Sequence, residues 1–269
     1  MFPCTINGQR VGAGAPIRLM GVLNVSPESF FRSSYIPQEQ LHTRAMDMLQ
    51  QGADILDVGA RATGPGSPSL SISEERNRIT TALREVEGVA TISVDTMYPE
   101  VLEAALKYEI HAVNDISGLI NPRMGALIAD AALPAILMAA RERPGDARSV
   151  EEVGRTLGVV TQRCHQAGIR DYILDPGIGL WTPQRTVEDN WELCRHFSAF
   201  LALERPLLAA ISRKSFLGGL LNKPAEERMF GSLALHMLLL CQGASIVRTH
   251  DVGETADTIR VFEKMRVRS

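Results

Sequence analysis

Residues 53–59 read ADILDVG and residues 171–175 read DYILD. Each is a short, largely apolar run with an acid at or near its end. Continuous hydrophobicity, without strict alternation of apolar and polar positions, is what a parallel strand covered on both faces requires. Outward from these two, the same signature recurs as IRLMGVLN (17–24), TISVD (91–95), HAVNDIS (111–117), PAILMAA (134–140), PLLAAIS (206–212) and ASIVRTH (244–250). Helix-period stretches such as EQLHTRAMDMLQQG (39–52) and PEVLEAALKYE (99–109) lie between them. Ser71 with Glu74 has the spacing of a capping box, and Gly52 and Gly168 stand where a helix C-terminus favours a left-handed residue. Eight strand–helix units in 269 residues predict one closed (β/α)8 barrel, a TIM barrel of roughly 250 residues. An open doubly wound sheet fits less well, because the G-x-G at Gly12 to Gly14 precedes the first strand instead of following it. No linker, repeat or low-complexity block divides the chain, so residues 1–269 are expected to form a single domain.

Composition narrows the function. The net charge of −3 carries no polycation footprint for nucleic acid. No apolar run approaches the ~20 residues that span a membrane; Leu233 to Cys241 is broken by His236 and reads as a buried helix. The N-terminus has neither the charged nor the apolar region of a signal peptide. Cys4, Cys164, Cys194 and Cys241 form no C-x-x-C pair and suit inert, reduced thiols of a cytoplasmic protein.

In a barrel of this kind the active site is built at the C-terminal ends of the strands, and nearly every run ends there in polar groups. They are Asn24, Asp57, Asp95, Asn114-Asp115, Asp175, Ser212-Arg213-Lys214 and Arg248-His250. Strand five is the exception, ending in Met138-Ala139-Ala140. Any one of these acids or amides suits a helix cap or a βα turn. The whole set converging on one mouth points instead to a site for a hydrogen-bonding heterocycle that bears an anionic group. His42, His111, His165, His196 and His236 fall away from the mouth and read as structural. Glu74-Glu75 and Glu226-Glu227 read as solvated helix faces.

The motifs MGVLNVSPESF (20–30), GADILDVGARATGPG (52–66), SVDT (93–96), VNDISG (113–118), ILDPGIG (173–179), SRKSFLG (212–218), GSLA (231–234) and IVRTHDV (246–252) together resemble the dihydropteroate synthase family, in its order and at its spacing. The resemblance implies a transferase that joins 6-hydroxymethyl-7,8-dihydropterin diphosphate to an arylamine and releases diphosphate. By similarity, Asp175 accepts hydrogen bonds from the amidine-like edge of the pterin, and Asp95, Asn114 and Met138 complete the ring pocket. Lys214 bridges the pterin and amine pockets, with Ser212 nearby. Asn24, Thr63, Arg248 and His250 hold the diphosphate, Asn24 through Mg²⁺, a hard cation that prefers oxygen ligands. Catalysis is then expected to rest on Lys214, Asn24, Arg248 and His250 as electrostatic groups, with no general base. The family also implies a homodimer.

Four mouth positions depart from the common bacterial pattern. Ala62-Thr63-Gly64-Pro65 replaces a Ser-Thr-Arg-Pro run, Arg32 replaces an Asp, Ala139 a His, and Leu180-Trp181-Thr182 a Phe-Gly-Lys. The loops are similar to those of the archaeal methanopterin branch, whose amine is a ribosylated aminobenzene phosphate. On that reading Gly64 and Pro65 leave room for the larger amine, and Arg32 or Arg61 supplies the missing positive charge. The Ser-Pro and Gly-Pro content suggests mobile first and second βα loops. Two other functions share the fold: a methyl-tetrahydropterin-dependent methyltransferase, and a pterin-binding paralogue without synthase activity.

Overall fold

A computed structural model describes residues 1–28, 31, 34–62 and 69–266. Among the described residues ten strands are present: β1 (Cys4–Ile6), β2 (Gln9–Val11), β3 (Arg18–Asn24), β4 (Ile55–Gly59), β5 (Thr91–Asp95), β6 (Ala112–Asp115), β7 (Ala135–Met138), β8 (Tyr172–Asp175), β9 (Leu208–Ala209) and β10 (Ile246–Thr249). The last eight pair in parallel in the order β8-β7-β6-β5-β4-β3-β10-β9. A parallel bridge from Leu174 to Leu207 joins β8 to the start of β9 and closes the circle. The eight apolar runs are these eight strands, and the fold is a (β/α)8 barrel. Their side chains are almost all buried, as expected where helices cover the outer face and side-chain layers fill the interior.

The helices alternate with the strands: α1 (Leu41–Gln50), α2 (Ile72–Val86), α3 (Pro99–Ala105), α4 (Pro122–Asp130), α5 (Val150–Ala167), α6 (Val187–Arg195), α7 (Ser215–Leu221), α8 (Met229–Cys241) and α9 (Val252–Met265). Ser71 caps α2 by accepting from the Glu74 amide at 3.1 Å. The Glu74 carboxylate does not return the bond; it pairs with Arg78, so only half of the capping box forms. Complete boxes form instead at Ser149 with Glu152 and at Thr186 with Asp189. Gly52 and Gly168 both take positive φ, Gly168 as the left-handed C-cap of α5.

Two features were not expected. The first is the antiparallel β1–β2 hairpin, turned by Asn7 (φ 46°) and Gly8 (φ 75°), the Asn-Gly dipeptide that suits a two-residue turn. Its Cys4, Ile6 and Val11 pack with Met20, Ile55, Ala112, Ile136, Ile173, Leu208 and Ile246, most of them at or near the starts of the strands. The hairpin thus plugs the N-terminal end of the barrel, and Asn7 and Gln9 hydrogen-bond to Thr91 at its rim. The second concerns α8, which is not buried all round. Its inner face (Ser232, Leu235, His236, Leu239, Leu240) packs on the barrel, but Phe230 and Leu238 are 74% and 59% exposed. A helix on the outside of a barrel has only one face against it.

Candidate active site

The C-terminal mouth holds a cavity lined at its floor by Val22, Leu208 and Ala210, and around its wall by Asn24, Asp95, Asn114, Asp175, Ser212, Lys214, Arg248 and His250. Eight expected site residues, spread over more than two hundred positions, therefore share one hollow.

A network of charge and hydrogen bonds fixes the floor. Arg248 on β10 reaches across the barrel, donating from Nε to Asp57 Oδ2 at 2.6 Å and from Nη2 to Asp95 Oδ2 at 2.8 Å. Asn114 donates to the same Asp57 oxygen at 2.9 Å. Burial pushes the Asp95 carboxyl up to about 7; Arg248 opposes that rise, and Asp57 adds to it. Burial works against the Arg248 cation, yet the two carboxylates outweigh it and hold its pKa above the ordinary value.

The second cluster lies at β8 and after β9. Asp175 accepts from the Gly177 amide at 2.8 Å, and burial raises its carboxyl against the pull of the Lys214 ammonium. Lys214 donates to the Ile178 carbonyl. Burial lowers it to about 8, Asp175 opposing and Arg248 and Arg185 assisting. These groups carry perturbed protonation because they sit together in a poorly hydrated cleft, the usual condition of a working site.

Towards the rim, Ser212 Oγ lies 3.1 Å from the His250 amide nitrogen, which donates to it, and 3.0 Å from His250 Nδ1. The His250 imidazole also meets the Phe31 ring edge-on. Burial, followed by the Arg248, Arg213 and Lys214 cations, depresses its pKa to about 3, so the ring is neutral at pH 7. Asn24 donates to Ser34 Oγ at 2.9 Å and accepts from the Ser26 amide at 3.0 Å.

The strand ends are not all directed inwards. Asp115 accepts from the Ser117 and Leu119 amides at 2.7 and 2.9 Å, shaping its own βα turn. Arg213 turns away to Asp251. The cavity thus combines an apolar base with walls that carry hydrogen-bond donors, acceptors and the Lys214 and Arg248 cations. It suits a planar heterocycle with an anionic tail.

The pterin binding enzyme family matches residues 20–250. The chain belongs to the pterin-binding enzyme family. It is 36% identical to the dihydropteroate synthase of Escherichia coli (strain K12) over 266 residues, covering 91% of this chain and 90% of that one. Among solved structures it is similar to the Coxiella burnetii dihydropteroate synthase in complex with pteroic acid, with a TM-score of 0.87, 31% identity and 99% of each chain covered. The Xanthomonas albilineans dihydropteroate synthase with 4-aminobenzoic acid superposes equally well, at a TM-score of 0.87, 31% identity and 99% of each chain. As a family member of this kind the chain is a dihydropteroate synthase-type transferase.

Three expectations change within that frame. Met138 does not line the cavity; it is 1% exposed and lies behind Gly177, whose added Cβ would sit 2.9 Å from the Met138 side chain. Glu75 is no solvated helix residue. It is 1% exposed and accepts from Arg61 Nε and Thr96 Oγ1, each at 2.6 Å. Arg61 does line the cavity, but it is tied to Glu75, to the Leu70 carbonyl at 2.6 Å and over the Tyr98 ring, so it is not a loose cation. Arg32, Thr63, Gly64 and Pro65 lie outside the described residues. One wall residue was seen in the sequence only as a departure: Trp181, which lines the cavity beside Lys214.

Proposed function

We propose that this transferase condenses 6-hydroxymethyl-7,8-dihydropterin diphosphate with p-aminobenzoate and releases diphosphate. The observation that carries the reading is the mouth cavity joining Asp95, Asn114 and Asp175 to Lys214, Arg248 and His250, in a chain of this family. Asp175 receives the paired N–H donors of the pterin's amidine edge, a geometry in which a carboxylate is strongest. Asn114 and Asp95 meet the rest of the ring edge; an Asp95 carboxyl that titrates near 7 is able to donate or accept there.

The bond between the pterin methylene carbon and the diphosphate oxygen breaks, and the arylamine nitrogen forms the new bond to that carbon. Charge accumulating on the leaving oxygen is stabilised by groups already in place, Arg248 and His250, the role of preorganised donors. A neutral His250 can donate its one ring N–H to the departing anion as a hydrogen bond. The amine sheds its proton to water, and no side chain is assigned as general base. Lys214 lies between the two halves of the site.

Among the described residues no cluster of three His, Cys, Asp or Glu side chains is placed to cage a metal. One amide oxygen, that of Asn24, suits a cation that keeps its waters and takes phosphate oxygens. Mg²⁺ so held would neutralise the diphosphate and favour its departure.

We assign the chain to the cytoplasm, as its buried thiols Cys4, Cys164 and Cys194 suit; no described helix is long and apolar enough to cross a membrane. The uncovered apolar face of α8 (Phe230, Leu238) is the surface we assign to a homodimer.

The test is diphosphate release with Mg²⁺ and the pterin diphosphate, offering p-aminobenzoate or its ribosyl-phosphate analogue. Turnover with p-aminobenzoate supports the proposal. Turnover with the larger amine alone moves the chain to the methanopterin type, and release with neither favours a pterin-binding paralogue or a methyltransferase.

A further inference from the structure

Of the eight apolar runs, that of β7 ends without a polar group at the mouth, and its loop has another occupation. Asp146 accepts from the Arg141, Glu142 and Arg143 amides at 3.0, 2.8 and 3.3 Å. Arg163 ties down the Gly118 and Ala140 carbonyls at 2.9 and 2.8 Å and the Arg141 carbonyl at 2.8 Å. The rigid loop so formed presents Gly145 at φ +68°, where an added Cβ would fall 2.2 Å from Trp181 Cβ and 2.4 Å from its Cγ. Glycine is required there twice over, by conformation and by space.

Trp181, on the loop that follows β8, is seated in this notch. Its Nε1 donates to the Gly177 carbonyl at 2.8 Å, which fixes the ring plane. The ring lines the cavity, and Lys214 Nζ stands 5.1 Å from its centroid, within the range of a cation–π contact. Lys214 therefore spans two walls: the Asp175 carboxylate at the strand end, and the Trp181 ring six residues further along the loop.

We propose that Trp181 is the aromatic wall of the arylamine compartment and the positioning residue that aims Lys214 into it, with Gly145 as its seat. This rests on the synthase reading above. A flat, rigid indole fixed at its N–H offers the amine's ring an edge-to-face or offset contact at little entropic cost. The Asp175 end of Lys214 is left to the pterin. The second substrate recognised is accordingly a single small aromatic ring, bounded by Trp181.

The test compares Trp181→Leu, Trp181→Phe and Gly145→Ala with the wild type, by steady-state kinetics with p-aminobenzoate and by calorimetric binding of 6-hydroxymethylpterin. Trp181→Leu is expected to raise the p-aminobenzoate KM about tenfold, the size of one lost aromatic contact, with pterin Kd unchanged within about twofold. Trp181→Phe should recover most of the loss. Gly145→Ala, which does not itself line the cavity, should reproduce the KM defect by unseating the ring. Should it fail to fold, a fluorescence measurement replaces it. The chain has two tryptophans, and Trp191 packs edge-on against Phe216; a Trp191→Phe protein leaves Trp181 as the only indole. Its emission is expected to change when p-aminobenzoate joins the pterin-bound enzyme. A KM within twofold of wild type in folded Trp181→Leu, or a loss of pterin binding in that variant, overturns the proposal. Failure of the wild type itself to bind the pterin would sink the synthase reading instead.

Discussion

The two ends of the barrel are built from the same strands and on opposite principles. At the N-terminal end Ile6, Cys4 and Val11 of the hairpin meet Met20, Ile55 and Ile246, and apolar area leaves water with no charge to satisfy. At the C-terminal end Asp57, Asp95, Asp175, Lys214 and Arg248 crowd within a few ångströms. Burial shifts Asp95 and Asp175 up and Lys214 down, so the folded state holds these three against their preferred ionisation. One end contributes stability and the other draws on it. Buried charge that is only partly compensated is costly, and it is retained where a ligand will complete it.

That contrast can be broken by mutation at either end. The largest effect is expected at the mouth. Asp175→Asn removes the acceptor for the pterin's paired donors, while its amide oxygen still accepts from Gly177. Steady-state kinetics should show kcat/KM falling by about two to three orders of magnitude, with little change in Tm. Next comes the opposite end, where Ile6→Ala empties part of the plug. Chemical denaturation should show a loss of about 2–4 kcal/mol, with kcat and KM unaltered in the protein that remains folded.

A smaller effect tests the wall between mouth and helix layer. Glu75→Gln keeps the Thr96 bond but discharges the anchor of Arg61, and kinetics should show KM rising a few-fold with kcat nearly constant. The smallest sharpens the account of buried ionisation. His236 is fully buried, and neither ring nitrogen has a hydrogen-bond partner among the described residues. Burial lowers its pKa to about 3 from 6.5. The unfolded chain therefore binds this proton first, and stability drains away as pH falls from about 6.5 towards 3. His236→Leu should remove that drain. Thermal melts should show it stabilising at pH 5 relative to pH 8 by about 1–2 kcal/mol, a gain also shaped by how well leucine fills the site. His250, similarly depressed, contributes equally to both proteins.

The sequence was most legible where a local pattern decides the outcome. Eight apolar runs became eight strands because burial on both faces leaves no other pattern for them, and polar strand ends converged because barrel closure brings them together. The hairpin escaped notice because three-residue strands leave almost no periodicity, although Asn7-Gly8 announced its turn. Long-range pairing was not legible either. Nothing near Arg248 in the chain says that Asp57, 191 residues away, will hold it. Glu75 has the local context of a solvated helix start, and only the packing of Thr96 and Arg61 against it reveals a buried anchor. Met138 was placed in the site by family resemblance alone, but its side chain is buried behind Gly177. Trp181 appeared only as a substitution, since the notch at Gly145 that gives it meaning lies 36 residues earlier in the chain.

The most direct test of the division between the two ends is calorimetric titration of 6-hydroxymethylpterin into wild type, Asp175→Asn and Ile6→Ala, each checked for folding by its melt. The account predicts that Asp175→Asn loses binding by about a hundredfold or more while melting near wild type, and that Ile6→Ala binds as wild type while melting lower. Wild-type affinity in Asp175→Asn, or lost affinity in folded Ile6→Ala, would contradict it.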